Sequence, residues 1–156
     1  MAWTDSHVFR AAVADVFGNV TAMDFDADSF KVALYNNTIT PDNDVTSANS
    51  AYNAGQWATA QEVFQAVQWP QGGVVLTGQS LNSGTADTVF FDANDTSSGS
   101  AATLAAVFGC LVYDDTLTTP VADQGASFNY FGGTNSVTNG TFTVVWHANG
   151  IWRATM

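Results

Sequence analysis

Apolar positions first recur regularly in "DSHVFRAAVADVFGN", where Val8, Phe9, Ala12, Val13, Val16 and Phe17 share the spacing of one helical face. Ser6 or Asp5 stands where an N-cap is needed and Gly18 where a helix ends. The pattern predicts one amphipathic N-terminal helix, with its stripe docked on the domain or on a neighbouring subunit. After it the period falls to two. In "SFKVALYNN", Phe30, Val32 and Leu34 alternate with Lys31, Ala33 and Tyr35, which predicts a half-buried strand. Further strands are predicted at "AQEVFQ", "GGVVLTGQS", "ADTVFFDAN", "TLAAVFGCLVYDD", "ASFNYFGG" and "GTFTVVWHA". Both alternating sets of "TLAAVFGCLVY" are apolar, which predicts a central strand covered on both faces. The polar stretch "TITPDNDVTSANSAYNAGQW" contains Pro41 and reads as a surface excursion with one helical turn near Ser47 to Asn53. The short segment "NDTSSGSAA" reads as one loop. Gly, Asn, Asp and Ser separate the apolar runs, as antiparallel turns require. The expected fold is therefore mainly β: an antiparallel β-sandwich or jelly-roll-like domain with one N-terminal amphipathic helix. A single domain over residues 1–156 is expected, with the helix and arm in 1–20 and the β domain in 28–156.

Composition sharpens this picture. A chain of 156 residues with 46% hydrophobic content has enough material for one core. Three basic residues against 14 acidic ones give a net charge of -11, which repels a phosphate backbone and argues against a nucleic-acid partner. No apolar run reaches the length of a membrane span. The opening "MAWTDSHVFR" lacks the charged start and apolar centre of a signal peptide, so synthesis in the cytosol is expected. Cys110, alone in "AAVFGCLVY", reads as a small buried thiol.

The candidate chemistry is sparse. Asp24, Asp26 and Asp28 in "MDFDADSF" match the opening of a calcium loop, but Ser29 stands where its sharp turn needs Gly and Tyr35 where a bidentate Glu belongs. The simpler reading puts these carboxylates on the solvent side of a strand, where charge discourages edge-to-edge pairing. A weak calcium site there, shared with "DND" at Asp42 to Asp44, is the alternative. His7 and His147 belong to no metal-ligand spacing. No G-x-S-x-G elbow is present, Glu62 is the only glutamate, and nothing selects a carboxylate pair for glycoside hydrolysis. "FGGT" and "PQGGV" lack the Lys and helix of a phosphate loop. No catalytic residue, cofactor or metal is assigned, and a non-enzymatic role is expected. Trp57, Trp69, Trp146 and Trp152 read as core or interface, with sugar stacking as the exposed alternative.

"FKVALYNNTITPDNDV", "QWPQGGVVLTG", "TVFFDANDTSSGSAATLAAVFGCLVYDD" and "FNYFGGTNSVTNGTFTVVWHANGIW" together resemble a family of small phage virion proteins encoded among head and tail genes. The resemblance covers most of the chain after residue 28 and rests on structural motifs, so it transfers no active site. It implies an all-β fold with an N-terminal helix in a tailed-phage particle. Within that setting the expected role is a capsid decoration, or cement, protein on the outer capsid surface, assembled in the host cytoplasm. Its partner would be the major capsid protein, and self-association as a homo-oligomer, a trimer, is expected, with no membrane or nucleic acid involved. The alternatives are a tail or head-fibre structural protein, or a carbohydrate-binding module that contacts the host surface through Trp and Asp/Asn groups. Interface candidates come from the segment Trp3 to Phe9 and the loop Pro41 to Trp57, read as exposed aromatic anchors in polar surroundings: Trp3, His7, Phe9, Tyr52 and Trp57.

Overall fold

A computed structural model describes residues 3–83 and 87–156. In chain order the elements are β1 (His7–Val8), α1 (Arg10–Phe17), β2 (Phe30–Tyr35), α2 (Ser47–Ser50), a 3-10 turn (Thr59–Gln61), β3 (Val74–Val75), β4 (Ser80–Ser83) and β5 (Thr88–Asp92). They continue as β6 (Thr96–Ser97), β7 (Ala102–Asp114), β8 (Gly125–Gly140), β9 (Thr143–Val144) and β10 (Trp152–Thr155). A five-stranded sheet runs β1-β8-β7-β2-β3, a three-stranded sheet β10-β5-β4, and β6 pairs with β9. Each strand pairing is antiparallel, and the domain is mainly β and sandwich-like.

The central part of the five-stranded sheet is buried on both faces, and β2 and β7 show why. Phe30, Val32 and Leu34 of β2 join Cys110 and Val112 of β7 in a first core, completed by Phe91 of β5, Val144 of β9, Trp69 and Ile151. Ala33 and Tyr35 of β2 point the other way with Leu111 and Tyr113 of β7 into a second core. The period-two alternation thus supplies one core per face. The apolar run of β7 is covered on both faces over Gly109–Asp114, as its continuous pattern predicts.

What covers the second face is the N-terminal segment and the loop after β2. Trp3, Phe9 and Ala12 lie on it from one side, and Ile39 and Trp57 from the other. Two glycines leave room for this. A Cβ at Gly109 would stand 2.5 Å from the Trp3 ring, and one at Gly125 would stand 2.7 Å from the Phe9 ring.

Several elements depart from the sequence reading. The helix starts at Arg10 rather than after Ser6 or Asp5, because His7 and Val8 pair with Phe128 and Ser127 of β8 and Phe9 becomes an N-cap with no side-chain cap bond. Its stripe is only partly docked. Ala12 is buried, whereas Val13 is exposed and Phe17 is 87% exposed. "AQEVFQ" forms part of the 3-10 turn and two isolated bridges, Tyr35 to Glu62 and Gln65 to Trp69, rather than a strand, since the Glu62 carboxylate binds groups of the neighbouring loops. In "GTFTVVWHA" Gly140 ends β8 against Ala102 and Thr143 and Val144 form β9, whose partner β6 lies in "NDTSSGSAA", read as a loop. The helical turn expected near Ser47 is α2, capped by the Thr46 side chain accepting from Asn49 N.

Candidate functional site

The aromatic residues expected to be exposed anchors are instead core. Trp3, Phe9 and Trp57 are fully or almost fully buried. Trp3 and Trp57 meet edge to face at 5.9 Å, Phe9 and Phe128 at 5.4 Å, and Tyr35 and Trp57 at 5.2 Å. The polar atoms are satisfied internally, with Trp3 Nε1 donating to Asn36 O at 2.9 Å and Tyr35 Oη donating to Trp57 O at 2.7 Å. These rings have no surface left to offer a partner, because the segment that carries them is what closes the second core. His7 is exposed, edge-on to Phe128 at 5.7 Å. Tyr52 is half-buried and stacked on Tyr113 at 4.9 Å.

Tyr52 belongs to a polar knot around Glu62. Tyr52 Oη donates to Glu62 Oε2 at 2.8 Å and Gly72 N donates to Oε1 at 2.7 Å, while Tyr113 Oη donates to Gly72 O at 2.7 Å. Burial pushes the Glu62 carboxyl up, against the opposing pull of the Tyr52 and Gly72 bonds, and burial raises the Tyr35, Tyr52 and Tyr113 phenols. Both oxygens are committed to holding loops on the sheet, which is a structural use of the carboxylate. Burial likewise pushes the Cys110 thiol up, removing it as a nucleophile at neutral pH.

The three aspartates of "DFDADS" cap a turn rather than line the solvent side of a strand. Asp24 Oδ1 accepts from Asp26 N at 3.0 Å and Ala27 N at 3.2 Å, Asp28 Oδ2 accepts from Asp24 N at 2.7 Å, and Asp26 Oδ1 accepts from Leu81 N at 2.6 Å. Carboxylates used this way fix a loop. Among the described residues, no group of three His, Cys, Asp or Glu side chains is arranged to hold a metal ion.

Asp28 also faces Asp114 at the end of β7. Asp114 is fully buried, its Oδ1 accepting from Thr116 N at 2.9 Å and Leu117 N at 3.2 Å, while its Oδ2 has no hydrogen-bond donor. Burial first, and then the Asp28 carboxylate, push the Asp114 carboxyl up to about 7. A protonated Asp114 turns Oδ2 into a donor to Asp28, which satisfies the orphaned oxygen.

A cleft of about 560 Å³ lies between β8 and the segment 142–151. Buried Phe142, Val144 and Ile151 line it together with the aromatic residues Tyr130, Phe131 and Trp146 and the polar Asn129, Asn135 and His147. No local pattern points to it, because its lining comes from β8, the β9 region and Ser6 before β1. No family model matches the chain, and no curated protein or solved structure matches it either.

Proposed function

We propose that the chain is a structural protein of a tailed-phage particle, a decoration protein that binds the outer capsid shell and reinforces contacts between capsomers. The observation that carries this reading is the undocked part of α1. Val13 and Phe17, four residues apart, share one helical face, and Phe17 gives water 87% of its surface. Covering such a ring on a partner is worth about 1.5–3 kcal/mol, and repetition over a symmetric shell turns modest contacts into strong avidity.

Charge supports the orientation. Arg10 is paired with Asp44 at 2.7 Å and Lys31 with Asp115 at 2.8 Å, leaving Arg153 as the only cation among the described residues without an ion pair. A surface this negative suits the exterior of a DNA container rather than its lining. The segments quoted for the phage resemblance support the same setting. The interface residues are revised accordingly: α1 with Val13 and Phe17 replaces Trp3, Phe9 and Trp57, while exposed His7 stays a candidate beside it.

The test is a cryo-electron-microscopy reconstruction of the particle with this chain fitted, together with retention of Phe17→Asp on purified shells. Regular density outside the shell with α1 against it, and loss of the Phe17→Asp variant at an unchanged melting temperature, is the expected result. Density confined to a tail or fibre would replace the cement role with the tail or head-fibre one.

A further inference from the structure

We infer that the cleft between β8 and the segment 142–151 is a binding site for an uncharged saccharide. This stands apart from the capsid reading and would hold wherever the protein sits in a particle.

The walls are fixed in advance. Phe131 packs against Phe142 with ring centroids 6.5 Å apart, and the neighbouring backbone is tied where Tyr130 N donates to Ser6 Oγ at 2.9 Å. Trp146 is anchored twice, its backbone N donating to Asp95 Oδ1 at 3.0 Å and its Nε1 to Thr96 Oγ1 at 3.2 Å. Both ties hold the residue at the cleft. Rings held this way lose little freedom when a ligand arrives.

The rim is equally set. His147 Nδ1 accepts from Asn149 N at 3.1 Å, so the neutral ring carries its proton on Nε2 and presents it as a donor. Asn135 Nδ2 donates to Gly133 O at 3.0 Å, which leaves its Oδ1 as an acceptor and its second N–H as a donor. The lining therefore offers both donors and acceptors, which a hydroxyl can satisfy in both directions.

The chemistry of the lining selects the ligand class. No Asp, Glu, Lys or Arg lines the cleft, in a chain with 14 acidic residues. An ion would find no counter-charge there, and a nucleic-acid strand would meet the repulsion of the whole surface. A wholly apolar ligand would strip water from the amides and imidazole without replacing its hydrogen bonds. A sugar ring answers both demands, with C–H faces for Phe131 and Trp146, which pack against the first core with Phe142, Val144 and Ile151, and equatorial hydroxyls for Asn129, Asn135 and His147. The volume of about 560 Å³ lies within the range of small-ligand sites and suits a short oligosaccharide segment. Val145, which also lines the cleft, is 71% exposed and would be covered by such an occupant.

The test uses the isolated full chain, labelled with nitrogen-15 and titrated with neutral oligomers of glucose, galactose, mannose and N-acetylglucosamine. The expected result is a saturable shift of the Trp146 indole N–H and the Asn129 and Asn135 side-chain amides by at least one of these series. Asn135→Ala and His147→Ala should each weaken it about tenfold with melting temperatures unchanged. The inference is overturned by the absence of saturable shifts up to the solubility limit, by shifts centred outside the cleft, or by wild-type affinity in both variants. Preference for a sialylated or sulfated glycan, or for a mononucleoside, would overturn the ligand class. Because no shell is present in the assay, failure here leaves the capsid reading untouched.

Discussion

Replacing Asp114 by Asn should make the protein markedly less sensitive to pH between about 4 and 8. The Asp114 carboxyl titrates near 7 in the fold against an ordinary 3.8, because it is buried and faces Asp28. Between those values the folded chain holds a proton that the unfolded chain has released, so raising the pH draws the equilibrium towards unfolding. The stabilising share of this proton is complete below 3.8 and is lost once the pH has passed about 7. A displacement of about three pK units corresponds to about 4 kcal/mol, which half-buried Asp28 reduces to about 2–4 by turning towards solvent as the pair ionises. For a domain of this size that is a fall in melting temperature of roughly 5–15 °C. Asn keeps an oxygen for the Thr116 and Leu117 amides and offers an N–H to Asp28, so it imitates the protonated acid at every pH. Melting curves by circular dichroism from pH 4.5 to 8.5 read the effect. Burial also raises Glu62 and Asp123, so both variants slope the same way and the difference between the slopes is the measure. Equal slopes in the wild type and Asp114→Asn would refute the shared proton.

Glu62→Ala should cost about 2–4 kcal/mol, since it orphans the Gly72 amide and the Tyr52 hydroxyl together; urea unfolding measures it, and a cost under about 0.5 would remove the knot from the account. Gly109→Ala should destabilise by about 1–3 kcal/mol and shift Trp fluorescence as Trp3 is pushed off the sheet, whereas an unshifted spectrum would mean that the ring has another seat. Trp57→Ala should cost about 3–5 kcal/mol as a core deletion, and a near-neutral result would return Trp57 to the surface. Millimolar calcium should leave the melting temperature unmoved, because backbone amides already occupy the carboxylates of Asp24, Asp26 and Asp28; a saturable rise would revive the metal reading.

The sequence was most informative where burial is continuous. The run "TLAAVFGCLVY" and the alternation of "FKVALY" place β7 and β2 correctly because both faces of their sheet are covered by the same chain. It misled where a tertiary contact outweighed a local preference. His7 and Val8 fit a helical stripe, yet pairing with β8 takes them into a strand, and the helix begins after Phe9. The aromatic residues of the arm and loop look like anchors because their neighbours are polar. Those neighbours form the outer skin of a second core, which only the covered back of the sheet reveals. The aspartates read as a strand pattern from their period of two, but each carboxylate reaches a backbone amide, and no periodicity reports that. The cleft was invisible for a different reason, since residues more than a hundred positions apart, Ser6 and Trp146, meet on its wall.

Trp3 fastens the second core from the very start of the described chain, against Asn36, Phe128 and Tyr130, so the last of these contacts spans most of the molecule. Contacts of such range close late, after β7 and β8 have paired through their own short connection. The same segment is held by the two residues of β1, the rings of Trp3 and Phe9 and a few hydrogen bonds, and it lies at the edge of the five-stranded sheet, so it can lift while β7 and β2 stay paired. Amide exchange should find residues 3–9 opening well before β7, and when they open they uncover an aromatic surface of Trp57 and Phe128. An edge latch of this kind makes opening of the second core a local event, separate from unfolding of the central sheet.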